Sequence, residues 1–267
     1  MVEDMCRILF AAGDGKGIIP LVDAIVKASE NDPYKERRGK GRQHKDGWGY
    51  VLLKDGSVRH YRSMKPIFED FKAVESLKAG LKGFSVLMIH TRAASQGIKN
   101  LFNVQPFAFS TRRGFNFWLL HNGDLDKAKI IELAELDEKD LRNASDSYTF
   151  ATYLCRRLPS PKLEDLLIHY KIIEETTKSV FNTMTLFQSS EGDFSAFITA
   201  KMVDELLQKP EHYDYSKLLL LREENLFAVA SSTVELYHKA HYEVIPNETA
   251  LYVKVLEENV EVETVHL

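Results

Sequence analysis

Met5-Cys6-Arg7-Ile8-Leu9-Phe10 is the stretch from which the fold and the chemistry of this chain are best read. Its apolar run reads as a buried strand over 6–11, and the residue that begins the strand is a cysteine. A cysteine so near an N-terminus has an option closed to an internal one. If residues 1–5 are removed, or if translation starts at Met5 and that Met is trimmed, the thiol sits beside its own free α-amine. That amine titrates at roughly 7.7–8.0 and can serve as general base for the thiol. The other reading of Cys6 is a small apolar residue packed in a strand. What separates the two readings lies downstream.

Working outward, Ile18, Leu21, Val22, Ile25 and Val26 recur at spacings of three and four, so 18–30 reads as an amphipathic helix. Residues 31–46 are polar and rich in Gly, Lys and Arg, and read as a loop. Strands are expected at 48–53 and 57–62 around the Asp55-Gly56 turn, at 84–90 and at 115–121. Helices are expected at 68–80, 126–136, 146–158 and 163–179. The remainder reads as strands at 181–188, 193–200, 216–222, 225–231, 242–245 and 249–256. Antiparallel hairpins with helices in blocks point to an α+β fold of two stacked sheets covered by helices, in one domain. Residues 1–5 read as an N-terminal extension or propeptide, and 6–267 as the domain.

The bulk numbers exclude several classes. With 267 residues and a net charge of −4, the chain lacks the basic balance of a nucleic-acid binder. The segment Lys35–Arg42 is locally basic and reads as a solvated loop or as a contact to an anionic ligand. No run reaches the ~20 apolar residues of a membrane span. The N-terminus lacks the basic and apolar regions of a signal peptide, so a cytoplasmic location is expected. Cys6 and Cys155 make neither a disulfide framework nor a zinc site, and Cys155, in a helical pattern, reads as inert core. The histidines lack metal-ligand spacing.

Three clusters sit at predicted strand ends, where loops begin and sites are built. In His90-Thr91-Arg92, the guanidinium is either an ordinary surface group or a fork for a carboxylate. In His121-Asn122-Gly123-Asp124, Asn-Gly is either a tight turn or a pair of donors, side-chain amide and backbone N–H, aimed at one oxyanion. In Ser145-Asp146-Ser147, Ser145 and Asp146 are either a helix cap and first-turn acid or, for Asp146, a carboxylate for a substrate ammonium. Arg92 and Asp146 together would clamp both charges of an α-amino acid. His44-Lys45-Asp46-Gly47-Trp48-Gly49 leads into a strand, with Trp48 filling the core or flooring a pocket.

Met5-Cys6, Gly47-Trp48-Gly49, His90-Thr91-Arg92, His121-Asn122-Gly123 and Ser145-Asp146-Ser147 succeed one another as in class II glutamine amidotransferase domains, which this chain resembles. His44-x-Asp46-Gly47-Trp48-Gly49 and Asn103-Val104-Gln105-Pro106-Phe107 resemble the stand-alone, YafJ-like branch. The resemblance is clearest over 5–158. It implies a four-layer αββα sandwich of two antiparallel sheets, the N-terminal nucleophile hydrolase fold, with no cofactor and no metal. By position it implies Cys6 as nucleophile with its freed amine as base, Asn122 and Gly123 as oxyanion hole, Arg92 for the substrate α-carboxylate and Asp146 for its α-ammonium. The implied substrate is glutamine or a γ-glutamyl small molecule, cleaved through a γ-glutamyl thioester. A separate ammonia-accepting synthase subunit is a possible partner; nucleic acid and membrane are not expected. Two features depart from the synthase-linked pattern: Ala93 and Ser95-Gln96 replace an aromatic and a Thr-His pair after the Arg, and Met1–Asp4 precede Met-Cys. The rival reading is a non-catalytic binding or regulatory module that keeps the fold with an unprocessed N-terminus. An N-terminal nucleophile peptidase is disfavoured by a clamp that suits a free amino-acid end.

Overall fold

A computed structural model describes residues 5–94, 97–137, 139 and 141–267. Thirteen strands and eight α-helices are found among them. The strands are β1 Arg7–Asp14, β2 Trp48–Lys54, β3 Ser57–Ser63, β4 Phe84–Thr91, β5 Phe107–Ser110, β6 Asn116–Asn122, β7 Asn182–Gln188, β8 Phe194–Ala200, β9 Leu218–Glu223, β10 Leu226–Ser231, β11 Glu243–Val244, β12 Thr249–Val255 and β13 Val260–His266. The helices are α1 Gly15–Glu30, α2 Pro33–Arg37, α3 Phe71–Gly80, α4 Lys127–Leu133, α5 Asp146–Arg157, α6 Leu163–Glu174, α7 Asp204–Leu207 and α8 Pro210–Ser216.

The strands form two wholly antiparallel sheets, in the orders β11-β9-β10-β1-β4-β2-β3 and β13-β12-β8-β7-β6-β5. Alternation along each strand sends successive side chains to opposite faces and so builds three apolar layers. Leu9 and Ala11 of β1 pack with Ile18, Leu21 and Ile25 of α1 and with Val74 and Leu77 of α3. Ile8 and Phe10, on the other face of β1, meet Met88, Leu120, Met184, Ile198 and Leu251 between the sheets. Phe117 and Leu119 of β6 pack under Phe150, Leu154, Leu166 and Tyr170 of α5 and α6. The result is the expected four layers, helix, sheet, sheet, helix.

Most expected elements are present, and the differences have local causes. Helix α1 begins three residues early because the Asp14 carboxylate caps it, accepting from Lys16 N–H. The basic segment read as loop contains α2, with Asp32 as N-cap and Pro33 in the first turn. The helix expected to reach 179 stops at Glu174, where the Thr176 hydroxyl bonds Ile173 O and Thr177 pairs with Leu125. Helices α7 and α8 and strands β5 and β13 were not expected: the first three are short, and β13 is largely exposed, alternating polar with apolar residues at the edge of its sheet. Trp48 is core, buried with its Nε1 donating to Asp70 Oδ2 at 3.1 Å.

The register places the functional candidates. Arg7 pairs with Thr91, and Thr91 with Trp48, so the start of β1, the end of β4 and the start of β2 lie together. Asn122 ends β6, paired with Asn182 at the start of β7 in the second sheet.

Candidate active site

At that end of the sandwich the Cys6 N–H donates to Asn122 Oδ1 at 2.8 Å, joining the residue just before β1 in one sheet to the last residue of β6 in the other. A small cavity of about 20 Å³ lies there, lined by residues including Cys6, Arg92, Asn122, Gly123 and Asp146. All five side chains or backbone groups singled out in the sequence are thus brought together. The volume holds about one water-sized group.

Each lining residue is fixed by its neighbours. Asn122 is buried, and its amide oxygen is taken by Cys6 N–H. Its Nδ2 makes no hydrogen bond among the described residues and remains the donating side of the amide. Gly123 has φ +139, and a Cβ there would come within 1.7 Å of Val180 O, so no other residue fits that backbone. Arg92 is buried at the end of β4, with its N–H on Gly47 O at 2.8 Å and its carbonyl accepting from Asp46 N–H at 3.0 Å. Gly49 completes this arrangement, since a Cβ would lie 2.5 Å from Gln105 O. Asp46 also accepts from Ala94 N–H and pairs with Lys99 at 2.6 Å, tying down the start of the loop that succeeds Arg92. The expected departure at Ser95-Gln96 lies outside the described residues; Ala93 is buried, and its carbonyl stands 3.7 Å from Cys6 Sγ.

Asp146 opens α5, capped by Ser145, whose hydroxyl accepts from Tyr148 N–H. Ser145 is thus a helix cap, and Asp146 lines the cavity. The Asp146 carboxylate accepts from Leu125 N–H at 2.8 Å and Ser147 N–H at 2.7 Å. Burial raises its pKa, and those N–H groups oppose the rise.

Several contributors escaped the sequence reading. Arg7 is wholly buried and donates to Asp32 Oδ2 at 2.6 Å, while His44 Nε2 stands 2.8 Å from the same oxygen. Arg7 Nη1 also donates to the carbonyls of Cys6 and Tyr215, each at 3.1 Å, so the buried pair holds the peptide that Cys6 itself carries. A charged residue inside the apolar run of β1 was the available signal, because burying it requires a partner. Lys35, read as a loop charge, is buried and donates to Gln43 O at 2.7 Å. Gln105 brackets β6 by accepting from His121 N–H at 2.6 Å and donating to His121 O at 3.2 Å. Asn103 accepts from Ser145 N–H and so links that loop to the start of α5. Cys155 is partly buried near the end of α5, packed at the margin of the core beneath α5 and α6, with Arg112, Arg113 and Arg156 beside it.

The electrostatics describe a dormant thiol. Burial pushes the Cys6 thiol up to about 11, against the pull of Arg92, Lys35 and Arg7. With a peptide bond on its nitrogen, Cys6 has no adjacent amine to take its proton. His44 and His121 are each lowered to about 4 by burial, and His90, whose ring nitrogens find no partner among the described residues, is also lowered.

No curated relative matches the sequence. Residues 29–139 match the family model described as glutamine amidotransferases class-II. The matched segment includes Gly47–Gly49, Arg92, Asn122 and Gly123, while Cys6 and Asp146 lie outside it. Among solved structures, a glutamine phosphoribosylpyrophosphate amidotransferase from Bacillus subtilis is similar at 16% identity and TM-score 0.60, covering 97% of this chain and 49% of its own. An allosteric regulatory enzyme of purine biosynthesis is similar at 15% identity and TM-score 0.61, covering 97% and 48%. A glutamine aminotransferase class-II domain protein from Silicibacter pomeroyi is similar at 12% identity and TM-score 0.50, covering 96% and 98%. This chain spans about half the length of the first two. The layered antiparallel architecture is similar to the N-terminal nucleophile hydrolase fold of the phosphoribosylpyrophosphate amidotransferase.

The buried groups give two testable outcomes. In the chain with residue 5 attached, alkylation of Cys6 by iodoacetamide should be slow at pH 7.5 and rise about tenfold per pH unit until the thiol ionises near pH 11, read by peptide mass mapping. A plateau by pH 8 would show an activated thiol. The buried histidines make the unfolded state the stronger proton binder between about pH 4 and 6.5. Their stabilising contribution is present above pH 6.5 and lost as pH falls toward 4. Urea midpoints should therefore hold steady from pH 7 to 8 and drop between pH 6.5 and 4; a flat profile would contradict their neutral burial.

Proposed function

We propose that this chain carries a class II glutamine amidotransferase domain and hydrolyses the γ-amide of glutamine or of a γ-glutamyl compound through Cys6. The observation that carries the proposal is the convergence of Cys6, Arg92, Asn122, Gly123 and Asp146 on one cavity, with Cys6 nitrogen held on the Asn122 amide. Removal of residues 1–5 would turn that nitrogen into a free amine still facing Asn122 Oδ1. Arg7, Lys35 and Arg92 pull the thiol down, and the same charges disfavour an ammonium, keeping more of the amine unprotonated at neutral pH.

The amine takes the thiol proton, and Sγ attacks the γ-carbonyl carbon. Negative charge then develops on the carbonyl oxygen, where Asn122 Nδ2 and Gly123 N–H donate. The tetrahedral species collapses as the ammonium returns a proton to the leaving nitrogen, giving the γ-glutamyl thioester. Water, activated by the same amine, releases glutamate and restores the thiol. One side chain, Asn122, thus serves both ends: its oxygen orients the base and its nitrogen meets the oxyanion. Arg92 and Asp146 would meet the α-carboxylate and α-ammonium of the substrate. A separate ammonia acceptor, and confinement to the cytoplasm, belong to the same proposal; no helix among the described residues is long and apolar enough to cross a membrane.

One observation favours the non-catalytic reading for the unprocessed chain: the Asp146 carboxylate already accepts from the backbone N–H groups of Leu125 and Ser147. Intact mass separates the two, since a species beginning at Cys6 belongs to the enzyme.

Protein verified to begin at Cys6 should release glutamate from glutamine ~10²–10⁴-fold faster than the chain retaining residues 1–5. Equal rates would show that another group is the base. In the trimmed protein, Asn122→Ala should lower kcat about 10²–10³-fold with little change in KM. Arg92→Ala and Asp146→Asn should mainly raise KM. Steady-state kinetics decide; an Asn122→Ala effect on KM alone would remove the oxyanion role.

A further inference from the structure

Met5 is not a loose appendage. Its side chain is buried, packed in an apolar cluster with Val180, Met202, Leu206 and Tyr215, with Tyr34 and Tyr213 at the margin. Its backbone is held at both ends by one hydroxyl: Met5 N–H donates to Tyr215 Oη at 3.3 Å, and Tyr215 Oη donates to Met5 O at 2.8 Å. The cluster adjoins the cavity on two sides. Val180, whose side chain lies in the cluster, has the carbonyl against which Gly123 is packed. Tyr215, the tyrosine that grips Met5, accepts through its own carbonyl from Arg7 Nη1, which also holds Cys6 O.

This placement bears on which amide is cleaved, and the inference rests on the Cys6 mechanism proposed above. There the Cys6 amine returns the proton to the leaving nitrogen, so the leaving group must stand within hydrogen-bond reach of that amine. In the intact chain that nitrogen is bonded to the Met5 carbonyl carbon, and the Met5 side chain extends beyond it into its apolar seat. We propose that the Met5 seat, once residues 1–5 are removed, is the leaving-group subsite, and that it selects γ-glutamyl amides whose amine carries an unbranched apolar side chain of about methionine's size. Ammonia, the leaving group of glutamine, leaves the seat unfilled. The Tyr215 hydroxyl, which donates to the Met5 carbonyl in the intact chain, offers the same donor to a carbonyl or carboxylate of the leaving amine. The bond broken is the γ-carbonyl carbon to nitrogen bond, the bond formed is the thioester, and the proton passes from the amine to the departing nitrogen.

The test uses protein verified by intact mass to begin at Cys6 and compares kcat/KM for glutamine, γ-glutamylglycine, γ-glutamylmethionine and γ-glutamylphenylalanine. γ-Glutamylmethionine should exceed γ-glutamylglycine by about tenfold or more, since even one methylene in an apolar pocket is worth about 10–200-fold. Leu206→Phe, which fills the seat, should remove that advantage while leaving glutamine hydrolysis within about twofold. Met202→Ala, which widens it, should shift preference toward γ-glutamylphenylalanine and serves if Leu206→Phe does not fold. If glutamine is cleaved but the three dipeptides are equivalent and Met202→Ala scales all substrates alike, the seat is not the subsite and the Cys6 mechanism stands. If no substrate is cleaved and Cys6 is not acylated, the Cys6 reading fails and this inference falls with it.

Discussion

The hydrogen bond from Cys6 N–H to Asn122 Oδ1 holds the site together. It joins the residue just before β1, a strand in the middle of one sheet, to the end of β6 in the other, where both strands give way to loops. Because it engages the nitrogen of one candidate catalytic group and the amide of another, the spacing of Cys6 and Asn122 derives from the spacing of the sheets. That spacing is in turn set by the apolar layer of Ile8, Phe10, Met88, Leu120 and Met184. Packed interiors deform little, so a site hung between two sheets inherits their rigidity.

Behind this contact stands a buried ionic group. Asp32 faces Arg7 and His44, and also accepts from the Thr233 hydroxyl and from the N–H groups of Tyr34 and Lys35. A buried carboxylate survives only when its lone pairs are met and its charge is matched, and both conditions hold here. The carboxylate therefore stays ionised far below its ordinary range. Its work for the site is indirect: it anchors Arg7, Arg7 anchors the Cys6 and Tyr215 carbonyls, and Tyr215 anchors Met5. The segment before Cys6 is thus held by the same network as Cys6 itself.

What the sequence by itself determined was the layered α+β architecture and the residue types at the strand ends. Period-two and period-three-to-four patterns report which face of an element is buried, and they located most strands and the long helices. Asn-Gly after an apolar strand, Arg at a strand end and Asp after a helix cap are local signals, so Arg92, Asn122, Gly123 and Asp146 were legible as candidates. Their order along the chain, with Cys6 first, carried the family resemblance. Only the tertiary structure decided that these residues share one cavity, because their meeting depends on strand register and on how the two sheets stack. It also decided the roles of Arg7, Asp32, His44 and Tyr215, which are far apart in sequence and read singly as unremarkable polar residues. And it decided that Met5 belongs to the folded body and not to a tail: a methionine's burial depends on the wall that Val180, Met202, Leu206 and Tyr215 build much later in the chain, and no local pattern around Met5 encodes that wall.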